Sequence, residues 1–183
     1  MRNDENIVKP APDGRPSSGP GHYLRDLVYG ALDGVVTTMA VLAGTAGAHL
    51  EPRVGIILGV ANLVADGLSM GASNYLALKS ELEQTGRSVR AEAPWRHGLA
   101  TTASFVAVGS LPLLAYPLAP LAPLPVLPAA AVLAAFGLLA AGAMRAPFVG
   151  KPVWTSAAEM LAVGATAAAA AYAVGNVVER WLR

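Results

Sequence analysis

The sequence predicts an all-α integral membrane protein, a bundle of five transmembrane helices. Three observations carry this. Of the 183 residues 54% are hydrophobic and only 14% charged, whereas a soluble domain of this size carries about 25% charge. The apolar residues fall into five runs of the roughly 20 residues that a span requires. Every run is too long for a strand, and none alternates with period two. Net charge is +1, which argues against a nucleic-acid binder. The absence of cysteine excludes disulfides, thiolate metal sites and a cysteine nucleophile together.

Residues 1–22 are polar and rich in Pro, Gly and Ser, the composition of a disordered cytosolic tail. They contain no apolar stretch ahead of a small-residue cleavage site, so no removable signal peptide is expected. The five-span domain is expected over 23–183. Span one covers about 24–48. A turn with His49, Glu51, Pro52 and Arg53 leads to span two, about 54–78, which can continue as helix to Glu83. A polar cytosolic loop, 79–96, separates the two halves. Spans three, four and five cover about 97–116, 126–144 and 154–178. Pro117, Pro120, Pro123, Pro125 and Pro128 predict a rigid loop between spans three and four; one kinked continuous segment is the alternative.

The basic residues set the orientation. With the N-terminus inside, inner segments hold Arg2, Lys9, Arg15, Arg25, Lys79, Arg87, Arg90, Arg96, Arg145 and Lys151. Outer segments hold Arg53, Arg180 and Arg183. This bias favours an N-in, C-out topology.

Two carboxylates fall at mid-depth. Asp33 lies nine residues past Leu24, about 14 Å at 1.5 Å per residue, near the middle of a core about 30 Å thick. Asp66 lies at a similar depth in span two. An ionised group there costs at least about 2.5–3.5 kcal/mol, and no Lys or Arg lies at that depth. A proton or a metal cation can supply the missing positive charge. On span two Asn62, Asp66, Met70 and Asn74 recur every four residues and share a face, flanked by Ser69 and Ser73. On span one Tyr29, Asp33 and Thr37 recur likewise, with Thr38 beside them. Two facing stripes would offer carboxylate, amide, hydroxyl and thioether donors. A thioether suits a softer divalent ion better than Mg²⁺ or Ca²⁺. Against this stand plainer readings: Met70 as core packing, and the two acids as a protonated, hydrogen-bonded pair. Gly30/Gly34, Gly55/Gly59 and Gly67/Gly71 have the spacing that lets helices, or a partner subunit, approach closely.

Residues 29–38 (YGALDGVVTT) and 61–70 (ANLVADGLSM), with Tyr75 a few residues on, resemble the vacuolar iron transporter family. The stretches around Ala103–Ser104–Phe105 and Glu159–Met160–Leu161 resemble its third and fifth spans more weakly. The likeness runs from about Arg25 to Gly175. It implies a five-span homodimer that exports Fe²⁺, often with Mn²⁺, in exchange for protons. The family's intramembrane ligands carry over to Asp33 and Met70. Its second-span acid falls near Asn62 or Asp66; Asp66 is taken as the ionisable member and Asn62 as a neutral ligand. The chain departs from the family in two places. Asn74 stands where many members have Glu, and only 79–96 replaces a Glu- and Met-rich helical module. Glu81 and Glu83 remain there as weak candidates for cytosolic capture, although a solvated loop explains them as well.

The expected mechanism places the ion between Asp33, Asp66 and Met70, with Tyr29, Thr37 and Asn74 along the path and Glu159 at the cytosolic entrance, where capping or interfacial solvation is the plainer role. Protons compete for the same carboxylates. Fe²⁺ or Mn²⁺ is then cargo, and no cofactor is expected. A channel or a structural membrane oligomer without proton coupling is the alternative. An enzyme is not expected: Ser69 and Thr37 lack a buried base, and His22, His49 and His97 fall near span ends. The Ala- and Arg-rich composition and short loops point to a bacterial inner membrane.

Overall fold

A computed structural model describes residues 22–119 and 125–183. The expected tail at 1–22, His22 excepted, and part of the Pro-rich connection lie outside the described residues. The helices are α1 (Leu24–Gly47), α2 (Pro52–Gln84), α3 (Val89–Glu92), α4 (Pro94–Gly109), α5 (Ala115–Leu118), α6 (Val126–Val149) and α7 (Val153–Leu182). A 3₁₀ turn, Leu111–Leu114, joins α4 to α5. There is no strand among the described residues. Five helical segments are long and apolar enough to cross a membrane, with Val89–Leu118 counted as one. The chain is an all-α, multi-pass membrane bundle.

Local chemistry sets the ends. Pro52 and Pro94 open α2 and α4 in the first turn, where a missing N–H costs nothing. Gly150, at φ 63°, closes α6 in the left-handed conformation that glycine adopts without strain. Pro147 sits inside the last turn of α6. The helix of span two runs on through Lys79 to Gln84, and α3 fills much of the rest of the short inter-half segment.

Helix α1 lies at the centre and packs on α2, α4, α6 and α7. Val35, Leu42, Phe105, Ala130, Leu138 and Met160 form its core contacts. The glycines make this possible. A Cβ on Gly34 would run into the backbone of Phe105, and one on Gly30 into the carbonyl of Thr101. Gly71 meets Thr102 and the Gly98 carbonyl in the same way. Gly55 and Gly59 lie against Tyr116 and Leu113. The small-residue pairs are thus used within the chain, α1 on α4 and α2 on α4, because apolar helices in lipid gain stability chiefly by close contact. Side-chain hydrogen bonds reinforce these seams: Ser104 Oγ donates to the Leu27 carbonyl at 2.5 Å, and Thr102 Oγ1 to the Gly67 carbonyl at 2.9 Å.

Candidate functional site

Antiparallel α1 and α2, joined through a tight turn with His49 at φ 55°, bring two polar stripes together. Between them lies a cleft of about 460 Å³ lined by Tyr29 and Asp33 from α1 and by Asp66, Ser69, Met70, Ser73, Asn74 and Ala77 from α2. It extends from mid-bundle toward the end that carries the start of α1. Its lining holds two carboxylates and no basic residue. Asp33 and Asp66 are both half-buried. The Asp33 carboxylate makes no hydrogen bond or ion pair among the described residues. Tyr29 stands at the rim, 61% exposed. Met70 lines the cleft and also packs against the core.

Five of the residues singled out in the sequence therefore share this cleft: Tyr29, Asp33, Asp66, Met70 and Asn74. Others lie elsewhere. Asn62, half-buried, sits one turn beyond Asp66 and does not line the cleft. The Thr37 hydroxyl donates back to its own helix, to the carbonyls of Asp33 at 2.8 Å and Gly34 at 3.4 Å. Glu159 accepts from Arg145 at 3.0 Å and Lys151 at 2.5 Å, which commits it to two cations at the α6–α7 turn. Glu81 and Glu83 are exposed near the end of α2, and Glu83 faces Lys79 at 3.8 Å. Among the described residues no group of three or more His, Cys, Asp or Glu side chains is arranged to hold a metal ion. A cation in the cleft would therefore draw on carboxylate, amide, hydroxyl and thioether donors together.

A second polar cluster lies next to the cleft, and sequence reasoning missed it. Asp26 is 2% exposed. Its Oδ2 meets His97 Nδ1 at 2.5 Å, and its Oδ1 accepts from Asn74 Nδ2 at 2.8 Å. His97 Nε2 lies 3.1 Å from His22 Nε2. Thr101 Oγ1 donates to the His97 carbonyl at 3.0 Å and accepts from Asn74 Nδ2 at 2.7 Å. Asn74 therefore belongs to both clusters. The signal available was Asp26 itself, an acid seven residues before Asp33 and so on nearly the same side of α1. Its partner is 71 residues away, and no local pattern points to it.

The VIT family model matches residues 24–93 and 83–176, together almost the whole helical part of the chain. Curated relatives include the vacuolar iron transporter of Plasmodium berghei (strain Anka), 38% identical over 61 residues, 33% of this chain and 22% of the relative. The vacuolar iron transporter of Plasmodium falciparum (isolate 3D7) is 42% identical over 52 residues, 28% and 19% of the two chains. Vacuolar iron transporter 1 of Arabidopsis thaliana is 35% identical over 72 residues, 39% and 29%. The matched segments span 19–29% of these relatives' length.

Proposed function

Because the chain belongs to the VIT family, we propose that it exports a divalent transition metal ion, Fe²⁺ or Mn²⁺, from the cytosol in exchange for protons. The observation that carries this is the cleft: two half-buried carboxylates and a thioether at mid-depth with no basic side chain beside them. Buried charge in a membrane must be paired or neutralised. One divalent cation neutralises Asp33 and Asp66 together, and so do two protons. The two loaded forms are then close in electrostatic cost, and the doubly ionised empty form is the expensive one. That is the condition for exchange rather than leak. Protons compete with the ion for the same carboxylate oxygens. Met70 adds a soft donor that biases the site toward transition metals.

The names of the matched relatives support iron as cargo. The inward bias of basic residues supports N-in, C-out, which opens the cleft to the cytosol. A homodimer is part of the reading. Ser69 and Ser73 are exposed on a helix that crosses the bilayer, where a polar face opposed to lipid is costly. A second copy across α2 would cover it. A bacterial inner membrane is the proposed location, supported by composition and short connections.

The test is Mn²⁺ and Fe²⁺ transport in proteoliposomes under an imposed pH gradient. The parent protein should move metal faster when protons can flow in the opposite direction. Asp33→Ala should abolish transport. Near-parent transport by Asp33→Ala would overturn the proposal; transport that needs Asp33 but ignores the gradient would remove proton coupling alone.

A further inference from the structure

We infer that Asn74 presents its carbonyl oxygen to the cleft as a cation ligand, and that the buried Asp26–His97 pair fixes this orientation. The inference rests on the metal-transport reading above and adds a ligand and a positioning residue to it.

An Asn side chain has one donor end and one acceptor end. The environment here decides which points where. Asn74 Nδ2 lies 2.8 Å from the Asp26 carboxylate, 2.7 Å from Thr101 Oγ1 and 3.4 Å from the His97 carbonyl. The first and third of these are acceptors only, and Thr101 Oγ1 spends its proton on the His97 carbonyl. Turning the amide over would set its oxygen against three acceptors. The NH₂ is therefore committed to the α1–α4 side. The Asn74 Oδ1 has no hydrogen-bond partner among the described residues. It is also absent from the buried unpaired oxygens, which are Thr38 Oγ1 and Ser156 Oγ. An unpaired oxygen that is not buried must be open, and the space that Asn74 lines is the cleft of Asp33, Asp66 and Met70.

Asp26 holds this arrangement through its own neighbours. It is almost fully buried, with His97 Nδ1 at 2.5 Å and the exposed Arg25 Nε at 3.9 Å. His97 is in turn placed by His22 and by ring contact with Tyr23. A carboxylate so anchored has one oxygen left for Asn74. Supporting groups of this kind typically cost about 10- to 100-fold in metal affinity when removed. Asp26 does not line the cleft; it acts through Asn74.

The experiment is Mn²⁺ titration of the purified full-length protein, by calorimetry, for the parent, Asn74→Leu, Asp26→Leu, Thr101→Val and the two double variants that contain Asn74→Leu. Asn74→Leu should weaken Mn²⁺ binding about tenfold or more. Asp26→Leu and Thr101→Val should weaken it in the parent, the first more than the second, and neither should weaken it further once Asn74 is Leu. Where Asp26→Leu fails to fold, Thr101→Val and its double variant carry the test, because that change keeps shape and charge. Losses that multiply in the double variants would overturn the positioning role. Parent-like binding by Asn74→Leu would overturn the ligand role. Asp33→Ala, run alongside, separates this from the larger reading. If it abolishes binding while Asn74→Leu does not, only this inference falls; if it too binds as the parent does, the transport site itself is refuted.

Discussion

Two aspartates on α1 should respond in opposite ways to one substitution, Asp→Ala. Asp26 is buried and satisfied. It accepts from His97 and Asn74 at 2.5 and 2.8 Å, and its loss strands both partners inside the bundle. Leaving a buried hydrogen-bonding group unsatisfied costs about 1–3 kcal/mol for each partner stranded. Asp33 is half-buried, and among the described residues its carboxylate makes no hydrogen bond or ion pair. Its presence costs up to about 2.5–3.5 kcal/mol at mid-depth, discounted here because the cleft is open. Asp33→Ala should therefore leave stability unchanged or raise it, by up to about 2 kcal/mol on the same scale. The assay is reversible unfolding in mixed micelles of rising denaturing-detergent content, read by circular dichroism, paired with metal transport in proteoliposomes. Asp26→Ala should lower the unfolding midpoint strongly. Asp33→Ala should not, yet should lose transport. The reasoning is refuted if Asp33→Ala unfolds as readily as Asp26→Ala, because Asp33 would then be a structural group and its idle carboxylate no sign of function.

Other substitutions probe separate parts of the argument. Met70→Leu keeps volume and should cost under about 1.5 kcal/mol of stability, while Mn²⁺ affinity measured by titration should fall; unchanged affinity would make the thioether packing alone. Thr38 is fully buried with its hydroxyl unpartnered, so Thr38→Val should be neutral or stabilising by up to about 1 kcal/mol in the same unfolding assay. Gly34→Ala forces a methyl against the Phe105 backbone and should cost about 1–3 kcal/mol, visible as a lower thermal midpoint. The natural chain has no cysteine, so Ser69→Cys and Ser73→Cys are clean reporters. At least one should form an interchain disulfide under mild oxidation if two copies meet across α2, and a monomer throughout would count against the dimer.

The spans were legible because a helix in lipid must be apolar over its whole length, and five such runs stand clear of the polar connections. Helix ends were less so. Span four is expected over about 126–144, yet α6 continues through Pro147 to Val149. The stripe Asp66–Met70–Asn74 and the pair Tyr29–Asp33 follow from a four-residue spacing, and that spacing explains why they line one cleft. It does not tell which stripe members fall short of the cleft, as Asn62 and Thr37 do. Glycine spacing announces close approach but not the partner, and here the partner is α4 of the same chain. The Asp26–His97 contact was invisible for a plain reason. Asp26 and His97 each stand at a span end, where an isolated polar residue needs no explanation. Only the antiparallel packing of α1 and α2 and the packing of α4 against both bring these ends together.

The two clusters together show how one short chain divides its polar groups. Inside the bundle, several polar side chains are matched: Asp26 with His97 and Asn74, Thr102 and Ser104 with backbone carbonyls. At the cleft, two carboxylates are left without hydrogen-bond or ion-pair partners among the described residues, in a medium that penalises it. A fold that satisfies the buried Asp26 so closely has no packing reason to leave Asp33 and Asp66 bare, whereas a reversible cation site requires it: a built-in Lys or Arg would neutralise them permanently and exclude the ion. On the proposed reading, with only a short segment between α2 and α4, capture falls to the cleft mouth. Ser69, Ser73, Ala77 and Glu81 follow one another at four-residue intervals along α2, so the exposed Glu81 stands one turn outward from the lining. On the proposed reading, an ion attracted there has a continuous row of side chains to follow inward, first to hydroxyl and amide oxygens and then to the carboxylates and sulfur that would hold it.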